Sequence, residues 1–215
     1  MNLNEETLIL IGAGGHAKVI IDTLKDQNIN INGIVDPKLS KTQSFWRNIE
    51  VLGDDHWLMR QSPEKTKLIN GVGSLPGHTI RENIFNRFKS SGFEFISVIH
   101  SSAIIGSGVV IEEGCHIMAG AIIQADCNIG ENTIINTGAQ IDHDCKIGNN
   151  VHIAPGAILS GSITVGDQSH IGCGATLIQG IEIGRQSIVA AGTTVVKSIS
   201  SNSKIIAPKP HIIKQ

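Results

Sequence analysis

The sequence predicts two architectures in series: an α/β half-Rossmann domain over residues 1–98, then an all-β parallel β-helix over 99–200, with a tail at 201–215. Three patterns carry that expectation. Every sixth residue from Ile99, through Ile105, Ile111, Ile117 and Ile123 to Val189 and Val195, is aliphatic, and no member of the series is polar. Four residues after these stand small or compact side chains, among them Cys115, Ala121, Cys127, Thr133, Ala139, Cys145 and Ala157. Nearer the N-terminus, an apolar run, a glycine-rich turn and an amphipathic stretch follow one another within residues 8–26.

A period of six fits neither a helix nor a simple alternating strand. It is the hexapeptide signature of a parallel β-helix. Each hexad supplies one short strand and one corner, with the aliphatic side chain inward and Gly or Asn where the backbone turns. Three hexads close one triangular coil, so residues 18 apart stack at roughly 4.8 Å. No coil is stable alone, because the apolar column is continuous through all of them. A β-sandwich with chance periodicity is the competing fold, and an unbroken run of this length speaks against it. The spacing does not give the hand of the coil.

Composition narrows the function. The 215 residues allow one large domain or two small ones. A net charge of −2 and the lack of a basic tract point away from nucleic acid. No segment approaches the roughly 20 apolar residues of a membrane span, and no charged n-region precedes an apolar run, so a soluble cytoplasmic protein is expected. Cys115, Cys127 and Cys145 fall on the small corner position and no C-x-x-C pair exists, so free thiols acting as apolar fillers are expected.

Taken in order, Leu8–Ile11 reads as a buried strand and Lys18–Asp26 as a helix with Val19, Ile20 and Leu24 on one face. Between them lies Gly12-Ala13-Gly14-Gly15-His16-Ala17. Ile31–Val35 reads as the next strand, ending at Asp36. Gly12-x-Gly14-x-x-Ala17 followed by an acid about 20 residues on satisfies the dinucleotide fingerprint. Glycines there let phosphate oxygens approach backbone N–H groups at a helix N-terminus. Ser40–Ser62, with Trp46 and Trp57, reads as a solvated loop; Lys67–Val72 as a strand leading into Gly73; Thr79–Ser90 as a helix; and Phe93–Val98 as a strand entering the coils. So short a domain is half a Rossmann unit. It suggests a mononucleotide or nucleotide-sugar site near Gly14, Gly15, His16, Asp36 and Gly73. A βαβ unit whose glycines serve only packing is the alternative.

Chemistry is expected at histidine. His143 follows the inward Ile141 by two, so its side chain points out of the coil, between Asp142 and Asp144. Flanking acids hold one tautomer of an imidazole and raise its basicity, which suits a general base. His152 and His170 are 18 apart and stack in neighbouring coils. Such a pair can bind metal, but no third ligand is evident and none is expected. His100 and His116 carry no supporting context. The repeat ends at Lys197, and Ile205 to Pro210 reads as an extended Pro-rich tail.

These pieces together resemble bacterial sugar acyltransferases that join a small nucleotide-binding domain to a left-handed β-helix. The nearest group is the nucleotide-4-amino-sugar N-acetyltransferases, with sialic-acid O-acetyltransferase-like proteins as relatives. The likeness rests on Gly12 to Lys18, Val35-Asp36, Val98 to Ala103, His143 to Gly148 and Val151 to Ala157. It implies acetyl-CoA-dependent N-acetylation of a UDP-4-amino-4,6-dideoxy sugar in surface-glycan biosynthesis, by homotrimers with sites between neighbouring β-helices. It implies His143 as general base tuned by Asp144, and His152 near the acetyl group. Gly161, Cys173 and Ala191 would then line the pantetheine path, and Gly14, Gly15, His16, Asp36, Pro37 and Gly73 would hold the nucleotide. The tail departs from the family pattern at Ile206-Ala207 and Pro208-Lys209. O-acetylation, a GDP-amino sugar, a non-enzymatic scaffold and a zinc hydratase are the alternatives.

Overall fold

A computed structural model describes residues 7–206. The N-terminal domain is a six-stranded sheet in the order β3-β4-β2-β1-β5-β6, comprising β1 (Thr7–Ile11), β2 (Gly33–Val35), β3 (Phe45–Trp46), β4 (Ile49–Gly53), β5 (Thr66–Asn70) and β6 (Glu94–Phe95). Helices α1 (Gly15–Asp26), α2 (Asp55–Leu58) and α3 (Ile80–Ser90) pack on it. All pairings are parallel except β3 with β4. The segment expected as a solvated loop therefore adds two strands to the sheet edge. Its dispersed apolar residues gave no period because β3 is two residues long and no residue of β4 is fully buried. Ile20 and Leu24 are buried as expected, but Val19, expected beside them, is 43% exposed, and Ile21 is buried in its place.

From Val98 the chain winds as a three-faced prism. The first face stacks Val98–Ile99, His116–Ile117, Ile134–Ile135, His152–Ile153, His170–Ile171, Ile188–Val189 and Lys204–Ile205. The second runs from Ile104–Ile105 through Gln140–Ile141 and Ile158–Leu159 to Thr194–Val195. The third runs from Val110–Ile111 through Lys146–Ile147 to Glu182–Ile183. Every ladder is parallel, and from Val98 to Val195 each strand pairs with its counterpart one full coil on, as Val98 does with His116 and His152 with His170. From Ile117 on, the hexad aliphatics fill the interior together with the corner residues Cys115, Cys127 and Cys145, whereas Ile99 and Ile105, at the start of the stack, are each 37% exposed. Each of these thiols donates to a carbonyl on the next coil, and burial raises their proton affinity, to about 11 for Cys115 and about 12 for Cys145.

The corners explain the glycines. Every sixth residue from Gly108 to Gly192 has φ between 56° and 72°. Only Gly adopts that region freely, while Asn and Asp tolerate it best among the others. Here Gly alternates with Asp126, Asn132, Asp144, Asn150, Ser162, Gln168 and Gln186. The final coil is shorter: Ile183 bridges Ile199 and Ile188 pairs with Lys204, both short of a full turn of the repeat. That slip hides the last rung from a count by hexads, so the stack continues to Ile205, beyond the expected limit at 200. Of the expected Pro-rich tail, residues 207–215 lie outside the described residues.

The first face is covered by the N-terminal domain. Val98 and Met118 join Leu10, Ala17, Ile20 and Ile69 in one apolar cluster. Arg81, at the start of α3, is buried between the two bodies. It donates to the carbonyls of Asn70 (2.7 Å), Val72 (2.9 Å), Asn132 (3.1 Å) and Gly114 (3.2 Å). No carboxylate contacts it among the described residues, and burial lowers its pKa to about 9.

Candidate active site

Two regions bring the expected residues together, and they lie on different faces of the molecule. The first is an open cleft of about 350 Å³ over the C-terminal ends of β1, β2 and β5. Gly14, Gly15, His16, Asp36 and Gly73 all line it, and Pro37 lines an adjoining cleft that shares Asp36. Asp36 closes the loop that Gly12 opens: its carboxylate accepts from the amides of Ala13 (3.2 Å), Lys38 (2.8 Å) and Leu39 (2.9 Å). Gly12 has φ 86°, which a side chain would strain, and an added Cβ would lie 2.9 Å from Val72. No side chain caps the N-terminus of α1, so its first amides and positive dipole end face the cleft. An uncapped helix start of this kind is where backbone N–H groups are able to receive an anion.

His16 is held on the wall of that cleft. Its Nε2 lies 2.8 Å from Nδ1 of His116, which reaches it from the first face of the prism and is completely buried. Burial, followed by the charge of Arg81, lowers the pKa of His16 to about 3 and that of His116 well below 6.5. His152 lies farther along the same wall, in a recess with Gly15, His16, Gly73, Ser74 and Asn136. Its Nδ1 donates to the carbonyl of Ser74 (3.1 Å) and its Nε2 takes the amide of Asn136 (3.0 Å). It stacks edge-on against His170 at 4.8 Å. Burial, then His170 and Arg81, lowers its pKa to about 3. Within one chain His152 thus sits among the residues of the nucleotide cleft.

The second region is the edge between the second and third faces, where His143 stands half-exposed. Its Nδ1 donates to Oδ2 of Asp144 at 2.7 Å, and its backbone amide donates to Asp142 at 2.8 Å. Asp144 occupies the left-handed corner, with φ 58°, which turns its carboxylate back onto the preceding ring. The hydrogen bond to Asp144 raises the His143 pKa above 6.5, opposed by desolvation and aided by Asp142. One coil on, Gly161 lies beneath the imidazole: a Cβ there would come within 2.6 Å of Cε1 and 2.7 Å of Nε2. The ring is therefore seated on bare backbone, and in its neutral form the proton held on Nδ1 by Asp144 leaves Nε2 as the lone pair. Cys173 and Ala191 are stacked one coil apart on a different edge, between the first and second faces, and both are exposed.

Among solved structures, the chain is 33% identical to the perosamine N-acetyltransferase of Caulobacter crescentus, which was determined with CoA and GDP-perosamine. The match covers 96% of each chain with a TM-score of 0.86. The chain belongs to the hexapeptide-repeat nucleotide-amino-sugar N-acetyltransferases. It is also 32% identical to the acetyltransferase domain of PglB from Neisseria gonorrhoeae FA1090, determined with acetyl coenzyme A, over 93% of this chain and 95% of that one (TM-score 0.83). Residues 7–88 match the PglD N-terminal domain, 126–161 the bacterial transferase hexapeptide (six repeats), and 99–125 and 162–197 the hexapeptide repeat of succinyl-transferase. An uncharacterized protein of Acanthamoeba polyphaga mimivirus is 35% identical over 122 residues, 57% of this chain, and the chain spans 23% of that protein's length. The fold of these acetyltransferases, an α/β half-Rossmann domain followed by a left-handed parallel β-helix, is the fold of this chain.

Sequence reasoning missed Arg81, His116, Asn136 and Ser74. A signal for His116 was present. Outward positions on the first face from Val98 to Ile188 are Val98, His116, Ile134, His152, His170 and Ile188, free of charge until Lys204 on the last rung; on the third face they are Val110, Asn128, Lys146, Thr164 and Glu182. A column free of charge marks a face that something covers. Among the described residues, no group of three or more His, Cys, Asp or Glu side chains is placed to hold a metal ion.

Proposed function

We propose that the protein transfers the acetyl group of acetyl-CoA to the amino group of a nucleoside-diphosphate-linked amino sugar, with His143 as general base. The observation that carries this is the His143–Asp144 pair seated over Gly161. Asp144 accepts from Nδ1 and so leaves the Nε2 lone pair free to receive a proton. The neutral sugar amine attacks the thioester carbonyl, Nε2 takes the proton that the amine sheds, and the CoA thiolate departs. No covalent intermediate on the enzyme is needed. The glycine loop, the uncapped start of α1 and Asp36 hold the nucleotide, a reading supported by the GDP-perosamine bound in the structure of the similar Caulobacter enzyme.

The enzyme acts as a homotrimer in the cytoplasm. In one chain, Gly161 and His143 occupy one edge while Cys173 and Ala191 occupy another, so one thioester cannot run along both. Neighbouring copies packed about an axis parallel to the prism bring unlike edges together and complete the site. The second face suits such packing, because Ile104 and Ile158 are 59% and 41% exposed on it. The test is turnover of UDP- and GDP-linked amino sugars with acetyl-CoA, read as free thiol, together with sedimentation. His143→Ala lowers kcat by about 10²–10⁴-fold with CoA binding retained, the usual scale for a general base. Wild-type turnover in that variant removes His143 from the role.

A further inference from the structure

We infer that His116 is a positioning residue that fixes the tautomer of His16, so that His16 turns a neutral Nδ1–H toward the diphosphate of the nucleotide sugar. This rests on the proposal that the cleft takes a nucleotide sugar. The geometry supplies the rest. One proton lies between His16 Nε2 and His116 Nδ1, 2.8 Å apart. His116 Nε2 is buried and has no hydrogen-bond partner. If His16 donated, neutral His116 would carry its own proton on Nε2, leaving a buried N–H with no acceptor. Folded proteins hardly tolerate such an orphan donor. If His116 donates from Nδ1, its Nε2 is a bare lone pair, and the nearby guanidinium of Arg81 favours that arrangement.

The second arrangement fixes His16 as well. Its Nε2 is the acceptor, so its single proton sits on Nδ1. Nδ1 is engaged by no hydrogen bond among the described residues, and the ring lines the cleft with Gly14, Gly15 and Gly73. A diphosphate there meets an N–H; under the other tautomer it would meet a lone pair and be repelled. Burial, followed by the charge of Arg81, keeps the ring uncharged. His16 therefore recognises the anion as a neutral dipole, in line with the backbone amides of the loop. His116 touches neither sugar nor thioester and acts through His16.

Histidine ring ¹⁵N spectra of the intact protein, free and with UDP or GDP, test this directly, with His16 assigned by its loss in His16→Gln. The expected spectrum shows His16 protonated on Nδ1 and bare on Nε2, unchanged in tautomer when the nucleotide binds. In steady state, His116→Leu raises KM for the nucleotide sugar about tenfold, leaves kcat within about twofold and leaves KM for acetyl-CoA unchanged. His116→Asn, whose amide nitrogen stands at the position of Nδ1 and can donate to His16, restores most of the loss; a purely structural role would not give that split or that rescue. Protonation of His16 on Nε2, or an unchanged KM for the nucleotide sugar in His116→Leu, overturns the inference. Failure of UDP and GDP to bind the wild type would instead refute the substrate reading, while the spectrum of the free protein still decides the tautomer.

Discussion

The covered face of the prism and its bare edge carry the same side chain in opposite states. On the face, His116 is fully buried and His152 is 8% exposed, and the solvation they lose drives their proton affinity down. On the edge, the His143 side chain is half in water beside a carboxylate, and its proton affinity rises. Burial dominates in the first case and a single short hydrogen bond in the second. One fold thus keeps neutral imidazoles as fixed hydrogen-bonding parts on its covered face and one more basic imidazole at its open edge. The covering domain makes the difference.

That contrast breaks most visibly in acid. His16 and His152 have folded pKa values of about 3, against 6.5 unfolded, and His116 lies well below 6.5. Depressed values mean that the unfolded chain takes up protons first as pH falls. Stability is full above pH 6.5 and declines toward pH 3, by roughly 1.4 kcal/mol per pH unit for each such group. Urea unfolding at pH 7, 6 and 5 measures this; a flat profile would show the imidazoles to be charged in the fold.

Arg81 sharpens the comparison next. Arg81→Lys keeps the charge but cannot fork to four carbonyls, so about 3 kcal/mol of stability is lost as buried acceptors go unpaired. Arg81→Leu removes the charge as well, so the folded pKa values of His16 and His116 rise toward 6.5, and the acid decline, which still begins near pH 6.5, levels off at higher pH than in the Lys variant. Chemical denaturation of the two variants across the same pH range distinguishes shape from charge.

The smallest effect is expected on the edge. His143 works as a base only when neutral, so kcat/KM falls as pH drops through its raised pKa. Asp144→Asn removes the largest cause of that rise and moves the acid limb of the profile to lower pH. It also frees the tautomer, so the plateau falls about tenfold. An unmoved limb assigns the limb to another group.

Much of this was legible in the sequence because the prism repeats. A stride of six places Ile141 inward and His143 outward without any coordinates, and a stride of three hexads stacks Gly161 on His143. The glycine loop and Asp36 were equally readable, since their roles are local. Arg81 was not readable: an arginine near a helix start looks like any solvated charge, and only the docking of α3 against the coil at Gly114 and Asn132 buries it. The hairpin of β3 and β4 was lost for a related reason, because an edge strand this short leaves no period.

The seat of His143 on Gly161 also limits how such a chain can change length. One inserted residue anywhere between them throws the later coil out of register or forces a bulge, and a Cβ-bearing neighbour then slides under the ring. Additions are compatible with the site only as complete turns of the prism or as loops thrown outward at a corner. Gene segments encoding this wall can therefore grow or shrink without disturbing the seat only in whole-coil quanta or at an outward corner.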